Sequence, residues 1–397
     1  MSYFIYLFWS AAAIVGYTYL GYAVVVWLWA KIVARTRRPL ALQPFEPTVT
    51  LVVPAYNEAS ILEAKIANCT ALDYPADKLK LLFITDGSTD HSGQVLARHP
   101  RIEHLHSPFR GGKSMAENRA MEFVTTPYVI FTDCNTNLNP AAVREMVKHY
   151  QDPKVGAVSG EKKIERTAST SGAGEGIYWK YESFLKRCDS NIYSLMGAAG
   201  ELVSFRSHLF LPLESDTILD DFVQSLRIVH QGYRVVYEPK AYATEQPSVS
   251  LPDELERKIR ICAGGWQAMS RLTALLNPLR QPVVTFLYVS HRVLRWSLAP
   301  LALTMLLLLS LVLAVRVGGF YWLALAAQVA FYLAAGREWQ AASQGRSQPL
   351  FVVPLFFTLM NVAVFMGFWR FLRKAQPAAW AKASRLPEVL STLSETA

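Results

Sequence analysis

The sequence predicts an α/β domain with a mostly parallel sheet, flanked by helices that lie in or on a membrane. Of its 397 residues, 52% are hydrophobic and 18% are charged, and the mean hydropathy is +0.17, which is too apolar for an ordinary soluble enzyme. The apolar excess is concentrated at residues 3–33 and beyond residue 297. Between residues 48 and 245, short apolar runs alternate with longer helical patterns, as in strand and helix units around a parallel sheet.

The N-terminal segment, residues 1–35, is predicted to be a retained transmembrane anchor. Residues 3–30 carry no charge and exceed the roughly 20 residues that span a bilayer. The segment is too long for the core of a signal peptide, and no small-residue cleavage site follows it. The basic residues beside the membrane segments are Lys31, Arg35, Arg37, Arg38, Arg292 and Arg295. By the positive-inside rule they place the central domain in the cytoplasm.

The central domain, residues 46–250, shows seven predicted strands and five predicted helices. The strands are at residues 48–54, 79–86, 102–106, 128–133, 155–159, 202–206 and 234–238. The helices are at residues 58–70, 113–125, 141–151, 176–191 and 220–231. Ligands of open parallel sheets bind beyond the carboxyl ends of the strands. Polar segments follow four of the strands, at residues 54–58, 86–90, 107–113 and 133–135. We therefore expect carboxylates, a lysine and glycines to meet at one edge of the sheet.

The C-terminal part is predicted to return the chain to the membrane. Residues 251–296 form basic amphipathic stretches that suit the interface, and a membrane region, 297–372, precedes a tail at 373–397. Its apolar spans are residues 297–315, 317–335 and 350–368.

With the anchor, these spans make four crossings and would leave the tail outside. The charges of the tail favour the cytoplasm instead; they are Arg370, Arg373, Lys374, Lys382 and Arg385. Three explanations stay open: residues 350–368 re-enter around Pro354, one segment is interfacial, or the charge rule fails.

The cysteines and the net charge exclude some classes of function. The four cysteines are far apart with no CxxC pair, so neither a zinc site nor a disulfide framework is indicated. The net charge of +9 is not accompanied by a nucleic-acid-binding motif, and we expect no nucleic-acid partner.

Two acidic strand ends have a structural and a functional interpretation. Asp133 and Asn135 offer two oxygen ligands for Mg²⁺ or Mn²⁺, but an Asx turn would also explain them, with Asn137, Asn139 and Pro140 behind it. The segment at 86–90, DGSTD, is either part of a site or a turn in which Asp90 caps the next helix.

Two further segments are equally open. The run Gly111-Gly112-Lys113 lacks the first glycine of a phosphate loop, because Ser107 stands in its place. It still offers backbone N–H groups and a positive charge to a diphosphate. Asp220 and Asp221 open a helix, where carboxylates favour the helix dipole; alternatively, one of them accepts a proton from a hydroxyl nucleophile.

Taken in order, seven segments resemble the family-2 glycosyltransferases. The segments are VVPAYNEA (52–59), ITDGSTD (84–90), GGKSMAENRA (111–120), FTDCN (131–135), GAAGELVSFR (197–206), ILDDF (218–222) and RKIRICAGG (257–265). The resemblance spans about residues 51–265. With the membrane segments, it is to the integral-membrane branch that includes cellulose, hyaluronan and chitin-oligosaccharide synthases.

The resemblance implies a GT-A (Rossmann-like) fold and a nucleotide-diphosphate sugar donor, usually linked to UDP. Donor-binding positions would be Pro54, Tyr56, Glu58, Asp86, Lys113, Asp133 and Arg260. Asp133 matches the first acid of the DxD metal motif, whereas its third position is Asn135, so Mg²⁺ or Mn²⁺ would be held by Asp133 and the diphosphate. Asp221 matches the general base of an inverting reaction, with Asp220 before it. Acceptor-side positions would be Gly197, Gly200 and Glu201.

The main departure from the family is at residues 257–261. Polymer-extending synthases carry QxxRW there, whereas this chain has RKIRI. The family's acceptor-platform tryptophan is therefore missing, which weakens the case for processivity. Trp266 is either a substitute platform or a tryptophan of the membrane interface.

Three functions are carried forward. The first is an inverting transferase that adds a sugar to a lipid-linked or oligosaccharide acceptor at the cytoplasmic face of a bacterial inner membrane, in exopolysaccharide or surface glycan synthesis. The second is a processive polysaccharide synthase of the hyaluronan, cellulose or poly-N-acetylglucosamine type. The third, a non-enzymatic sugar-binding or transport protein, is disfavoured because no charge lies inside the spans 297–315 and 350–368.

The expected partners also include membrane lipids and possible oligomeric or polysaccharide-assembly partners. A paired-carboxylate glycosidase would not explain the lysine, the glycine turn or the DxD-like strand end.

Overall fold

The computed structural model describes residues 2–36, 43–165, 170–248, 250–344, 346, 348 and 351–379. Four of the charges used in the topology argument, Arg37, Arg38, Lys382 and Arg385, lie outside these residues, as does most of the predicted tail.

Eight strands and fourteen α-helices make up the described part of the chain. The strands are β1 Val49–Ala55, β2 Leu79–Asp86, β3 Ile102–Ser107, β4 Tyr128–Thr132, β5 Asn137–Leu138, β6 Val155–Ile164, β7 Leu202–Arg206 and β8 Arg234–Glu245. The helices of the N-terminal half are α1 Ser2–Gly16, α2 Tyr22–Thr36, α3 Ala59–Thr70, α4 Ser92–Leu96, α5 Lys113–Phe123, α6 Ala142–Val147 and α7 Thr170–Ile192. Those of the C-terminal half are α8 Asp220–His230, α9 Leu251–Arg271, α10 Pro282–Tyr288, α11 Leu294–Trp296, α12 Leu298–Arg316, α13 Phe320–Ser343 and α14 Val352–Leu372.

One sheet of eight strands, in the order β3-β2-β1-β4-β7-β6-β8-β5, organises the central domain. Strands β3, β2, β1 and β4 are mutually parallel, and β6 and β8 form a second parallel pair. Between them β7 is antiparallel to both neighbours. The carboxyl ends of the four parallel strands therefore meet at one edge of the sheet, as the sequence predicted.

The strands have apolar residues on both faces because helices cover both faces of the sheet. Along β1 and β2, Leu51, Val53 and Phe83 contribute to one core, which α3 and α6 cover. Their neighbours in sequence, such as Val52 and Leu82, contribute to the opposite core, which α5, α7 and α8 cover. This second core also includes buried residues of helix α2, so the predicted anchor packs directly on the central domain.

All seven predicted strands and five predicted helices are present, and the largest differences are in length. β6 and β8 continue five and seven residues beyond their predicted ends. After a register shift at Gly160, residues Glu161 to Ile164 of β6 continue to pair with β8. Helix α7 starts at Thr170 rather than 176. The short strand β5 was not predicted; two residues carry no alternation from which to recognise it.

The described residues contain three helical segments long and apolar enough to cross a membrane: Ser2–Thr36, Leu298–Arg316 and Val352–Leu372. The segment predicted at 317–335 forms part of α13, which is not among them. The expectation of four spans is therefore corrected to three by this criterion. Helix α14 is continuous around Pro354, which lies in its first turn, so the re-entrant explanation is wrong.

Helix α14 packs along the length of the amphipathic helix α9. Leu251, at the start of α9, packs with Val352 and Leu355. Near the other end, a Cβ added at Gly367 would lie 2.6 Å from the Cβ of Cys262. The two helices therefore run side by side in the same direction.

Candidate active site

A cavity of about 1370 Å³ opens at the carboxyl edge of the sheet. It is lined by all the predicted site residues except Gly197: Pro54, Tyr56, Glu58, Asp86, Lys113, Asp133, Asn135, Gly200, Glu201, Asp220, Asp221 and Arg260. They come from the ends of four strands, from the start of α8 and from α9. The fold therefore brings together residues that are up to two hundred positions apart in the sequence.

The ammonium group of Lys113 lies at the centre of the acidic residues. Its Nζ is 2.6 Å from Oδ1 of Asp133, 3.4 Å from Oδ2 of Asp220 and 4.0 Å from Oε1 of Glu117. Burial by itself would lower the pKa of Lys113, but the charges of Asp133 and Asp220 outweigh it and hold the pKa well above its usual value. Lys113 therefore remains a cation and joins the end of β4 to the start of α8.

Asp221 differs from the other acids around Lys113. Burial, followed by repulsion from Asp220, raises the pKa of Asp221 to about 7. A Cβ added at Gly200 would lie 2.9 Å from Nζ of Lys113 and 3.3 Å from Oδ2 of Asp221. The absence of a side chain at position 200 therefore allows Lys113 and Asp221 to lie close against the backbone there. A buried carboxylate with a pKa near neutrality has the properties of a general base.

Glu117 was not predicted as part of the site. It is 4% exposed and lies one helical turn after Lys113 on α5. Burial, then the charge of Asp220, raises its pKa well above the usual value. The signal in the sequence was the spacing of four residues between Lys113 and Glu117, which places both on one helix face.

The glycine turn does not offer its N–H groups to a diphosphate, contrary to one interpretation of the sequence. The backbone N–H groups of Gly111 and Gly112 donate to Oδ2 of Asp86, at 3.0 and 2.7 Å. Arg119 donates to the other oxygen of Asp86 at 3.1 Å. Asp86 lines the cavity, and its carboxylate also holds the turn that places Lys113, because a buried carboxylate needs such donors.

Tyr56 faces Arg110, whose guanidinium carbon lies 3.8 Å from the centre of the tyrosine ring. Both side chains line the cavity. Arg110 was missed in the sequence, although a basic residue directly before a glycine turn is a usable signal. The nearby Asp90 has a structural role, because it accepts hydrogen bonds from the backbone N–H groups of Ser92 and Ala59.

The segment that begins at Asp133 is held against β8 and faces the cavity. Asn139 fastens the turn to β8: its side chain accepts from the N–H of Tyr242 at 2.7 Å and donates to the carbonyl of Lys240. Asp133 and Asn135 face the cavity. Burial raises the pKa of Asp133, while Lys113 opposes that effect.

Asn135 is oriented by a second buried lysine. Its amide nitrogen donates to Oε1 of Glu245 at 2.9 Å, and Glu245 is also ion-paired with Lys162. Lys162 lies 2.6 Å from Glu201. Burial would raise the pKa of Glu201, but Lys162 outweighs it and lowers that pKa to about 2. Neither Lys162 nor Glu245 was predicted, because each lies in the unforeseen extension of β6 or β8.

The groups that could hold a metal ion are few. Asp133 offers a carboxylate, and the bond from Asn135 to Glu245 leaves the amide oxygen of Asn135 as its ligand atom. Within the described residues, no cluster of three or more His, Cys, Asp or Glu side chains could hold a metal ion. A divalent cation at this position would therefore depend on oxygens from a bound ligand.

Gly197 is a structural residue next to the site. Its φ is +99°, and a Cβ added there would overlap the ring of Phe222, which follows Asp221. The preceding carbonyl, of Met196, accepts a hydrogen bond from Nε of Arg292 at 2.7 Å. Gly197 is not among the cavity-lining residues and shapes the loop that leads to Gly200, while its acceptor-side role stays a prediction.

Helix α9 contributes Arg260, as predicted, but not Trp266. Arg260 is deeply buried, and burial lowers its pKa, although Asp220 and Asp221 act in the opposite direction. Trp266 packs on Phe368 at a ring distance of 4.5 Å and is not among the cavity-lining residues. Trp296 does line the cavity.

Gly265 makes the position of Trp296 possible. A Cβ added at Gly265 would lie 2.5 Å from the Trp296 ring, whose other neighbour is the Phe222 ring at 5.3 Å. Glycine inside a helix costs about 1 kcal/mol relative to alanine, and here it allows the indole to pack against α9. The indole of Trp296, from α11, therefore lines the cavity beside Phe222, the residue after Asp221.

The cavity continues between the membrane helices. There it is lined mainly by apolar side chains, including Leu303, Leu306, Phe331, Phe357 and Met360. The polar side chains in this part bond to protein groups: Tyr19 donates to Asn361 at 2.8 Å, and Gln328 donates to Ser310 at 2.6 Å. The walls that remain are therefore suited to hydrocarbon.

Comparisons with known proteins give matches to two glycosyl transferase family models. The model described as Glycosyl transferase family 2 matches residues 50–196, and that described as Glycosyl transferase family group 2 matches residues 128–335. Poly-beta-1,6-N-acetyl-D-glucosamine synthases of Staphylococcus aureus (strain COL) and Staphylococcus epidermidis are 26% and 22% identical to the chain over 234 and 231 residues. Each alignment covers 56% of this chain and 56% of the synthase. The chain thus spans about half the length of the curated relatives it matches.

A solved structure gives the fold. A mannosyltransferase from Pyrobaculum calidifontis, in complex with GDP-Man and Mn²⁺, is 22% identical, with a TM-score of 0.71. The match covers 93% of this chain and 99% of that one. The expectation of a GT-A fold is confirmed.

Gly197 and Gly176 provide a test of the loop beside Asp221. Gly197→Ala should lower the free energy of unfolding by more than about 1 kcal/mol, because alanine is strained at positive φ and would displace Phe222. The matched control is Gly176→Ala in α7, where a Cβ would meet nothing within 4 Å; it should stabilise the helix by up to about 1 kcal/mol. Thermal unfolding in a mild detergent measures both, and equal shifts in the two variants would contradict the structural role of Gly197.

Proposed function

The chain belongs to the family 2 glycosyl transferases, and from this premise we propose that it moves a sugar from a nucleotide-diphosphate donor to a lipid-linked acceptor, with inversion at the anomeric carbon. The observation that carries the proposal is the single cavity in which Asp86, Lys113, Asp133 and Asp221 meet. A family-2 transferase needs a donor-binding edge and a proton acceptor side by side, and Lys113 joins the two.

The donor is proposed to lie along the ends of β1, β2 and β4. Tyr56 and Arg110 offer a flat surface to a nucleobase, and buried Glu58 and Asp86 lie beside it. The diphosphate would reach Lys113 and Arg260, whose positive charges suit a phosphate. UDP is the proposed carrier.

A divalent cation, Mg²⁺ or Mn²⁺, is proposed at Asp133 and Asn135. Their two oxygens are ligands that such ions prefer, and the shortage of further protein ligands matches an ion that shares its coordination with donor phosphates. When bound, the ion would supply positive charge that stabilises the departing nucleoside diphosphate. The remaining steps belong to side chains of this chain.

Asp221 is proposed as the general base. It would take the proton from the acceptor hydroxyl while that oxygen attacks the anomeric carbon and the bond to the diphosphate breaks. Lys113 and Arg260 would offset the negative charge that develops on the leaving group. Asp220 would act through Asp221, because its repulsion helps to raise the pKa of its neighbour.

The acceptor is proposed to be an amphipathic, lipid-linked sugar. The part of the cavity among α12, α13 and α14 is apolar, whereas its other end holds Asp221, so one molecule with a sugar at one end and hydrocarbon at the other fits both parts. Trp296 offers an indole on which the acceptor sugar could stack beside Phe222.

A processive synthase is the second candidate, and the two staphylococcal poly-N-acetylglucosamine synthases favour it. Two observations weigh against it: residue 261 is isoleucine where QxxRW synthases have tryptophan, and the cavity among the membrane helices has apolar walls. The length of the product distinguishes a single addition from polymerisation.

The central domain is proposed to lie in the cytoplasm at the inner membrane. Helix α9 carries Arg257, Lys258 and Arg260 and so cannot cross a bilayer, and α14 packs along its length. We therefore propose that α14, although apolar enough to span a membrane, lies at the interface, and that α13, which does not meet that criterion, crosses the membrane together with α12. The resulting three crossings put the basic residues of the tail on the cytoplasmic side, in agreement with the charge rule.

Replacing the base separates chemistry from binding. Asp221→Asn should lower kcat by about 100- to 10,000-fold, because no carboxylate remains to accept the proton. Its affinity for UDP should stay within about threefold of the parent, and Asp77→Asn, an exposed acid on the same domain, should change neither. Release of nucleoside diphosphate and equilibrium UDP binding are the measurements. Undiminished turnover in Asp221→Asn would remove Asp221 from this role.

The pH dependence of turnover tests the ionisation of Asp221. Since the pKa of Asp221 is about 7 and only the ionised form accepts a proton, kcat should rise about tenfold per pH unit below neutrality and level off above it. Nucleoside diphosphate release at saturating donor, followed from about pH 5 to pH 9, gives the profile. A rate already constant from about pH 5 upward would be incompatible with this base.

A further inference from the structure

Lys186 is a buried cation that faces the cavity and that the proposed reaction does not use. It lies on α7, where Trp179, Glu182 and Lys186 follow one another at helical spacing on one face, and all three line the cavity. Lys186 is 3% exposed. Lysine is rarely buried to this extent without a partner.

Within the part of the chain that the structure describes, no carboxylate lies within 4 Å of Nζ of Lys186. The ring of Trp179 lies beside the ammonium group, with its centroid 4.9 Å from Nζ. Burial lowers the pKa of Lys186, although Glu182 acts in the opposite direction. The ammonium group is thus desolvated without the ion pair that normally offsets this cost.

The carboxylates around Lys186 already have other partners. Glu182 forms ion pairs with Arg292, at 2.7 Å, and with Arg295, at 3.1 Å. Glu161 accepts a hydrogen bond from Ser183 at 2.6 Å, and burial raises its pKa. Of the other nearby acids, Asp189 is paired with His291 and Glu201 with Lys162, so Glu182 alone faces the three positive charges of Lys186, Arg292 and Arg295.

This positive region lies between the base and the membrane helices. On one side Arg292 bonds to the carbonyl of Met196, in the loop next to Phe222 and Asp221. On the other side Tyr181, from the same helix as Lys186, donates to the carbonyl of Tyr19 at 2.7 Å. Tyr19 lines the apolar part of the cavity.

We propose that Lys186 binds the phosphate or diphosphate that links the acceptor's sugar to its lipid. The proposal rests on the proposed function, in which the acceptor is lipid-linked. A lipid-linked sugar has its anionic linkage between its sugar and its hydrocarbon, and Lys186 lies between the corresponding parts of the cavity. A neutral glycan would leave the ammonium uncompensated. The proposed diphosphate of the donor has separate cationic groups, Lys113 at the start of α5 and Arg260 on α9.

Short isoprenoid probes test the site in the complete chain, embedded in phosphatidylcholine nanodiscs. The parent should bind farnesyl phosphate at least tenfold more tightly than farnesol, because only the phosphate offers an anion. Lys186→Gln should abolish this preference and Lys186→Arg should retain it. The matched control is Lys180→Gln, an exposed lysine on the same helix, which should bind like the parent. UDP affinity, measured in the presence of Mn²⁺, should be equal in all four proteins.

Three results would overturn the proposal. The parent could bind farnesol and farnesyl phosphate equally, or Lys186→Gln could keep the preference for the phosphate. The third result is Lys186-dependent binding of glucuronate in place of farnesyl phosphate, which would assign an acidic sugar to the site.

A structural role is tested with Lys186→Met, whose thermal midpoint should equal or exceed that of the parent because an unpaired buried charge is removed. A lower midpoint would show the lysine to be structural. Failure of the proposed transfer reaction would appear separately, as absent nucleoside diphosphate release with normal lipid-phosphate binding.

Discussion

The buried ammonium group of Lys113 is the interaction on which the site depends. Four acidic side chains from three elements, Asp133 after β4, Glu117 on α5, and Asp220 and Asp221 on α8, share a desolvated space in which burial and mutual repulsion raise the pKa values of Glu117 and Asp221. The lysine compensates part of this charge and links the elements. It also leaves Asp221 with a pKa near neutrality, so the arrangement that stabilises the site also suits Asp221 to the proposed role of general base.

Two further buried lysines, Lys162 and Lys186, lie on the proposed acceptor side of the cavity, and they differ in whether carboxylates compensate their charge. Lys162 is fully buried and ion-paired to Glu201 and Glu245, which fixes both side chains in place, and Asn135 is oriented through Glu245. Lys186 is equally buried but has no carboxylate at ion-pair distance among the described residues. The first lysine builds the wall of the cavity, whereas the second retains a charge that a ligand can satisfy. Their different surroundings account for their different proposed roles.

The sequence predicted the features that depend on local pattern. Apolar runs gave the positions of β1 to β4, and the rule that ligands bind beyond the carboxyl ends of parallel strands brought Asp86 and Asp133 to one edge. The order of the motifs added Asp221 and Arg260. The ends of β6 and β8 were missed because these extensions pair mainly with each other, beyond the apolar stretch from which a strand is recognised.

Features that depend on the choice of a distant partner were not predictable from pattern. Gly111 and Gly112 looked like donors to a phosphate, but the buried carboxylate of Asp86 needed them. Trp266 and Trp296 are equally aromatic in the sequence, and only the contact of Gly265 with the Trp296 ring places the second in the cavity. Helix α14 has the composition of a membrane span, yet it packs along the charged helix α9. In each case the deciding contact joins residues that are far apart in the chain.

The most direct test is the release of nucleoside diphosphate from a panel of nucleotide sugars by the membrane-embedded protein, with and without Mn²⁺, in the parent and in Lys113→Gln. The account predicts that at least one sugar nucleotide is turned over, that turnover requires the cation, and that Lys113→Gln is at least about 100-fold slower because the carboxylates lose their shared counter-charge. Turnover that is undiminished in Lys113→Gln, or absent from the parent with every sugar nucleotide, would contradict it.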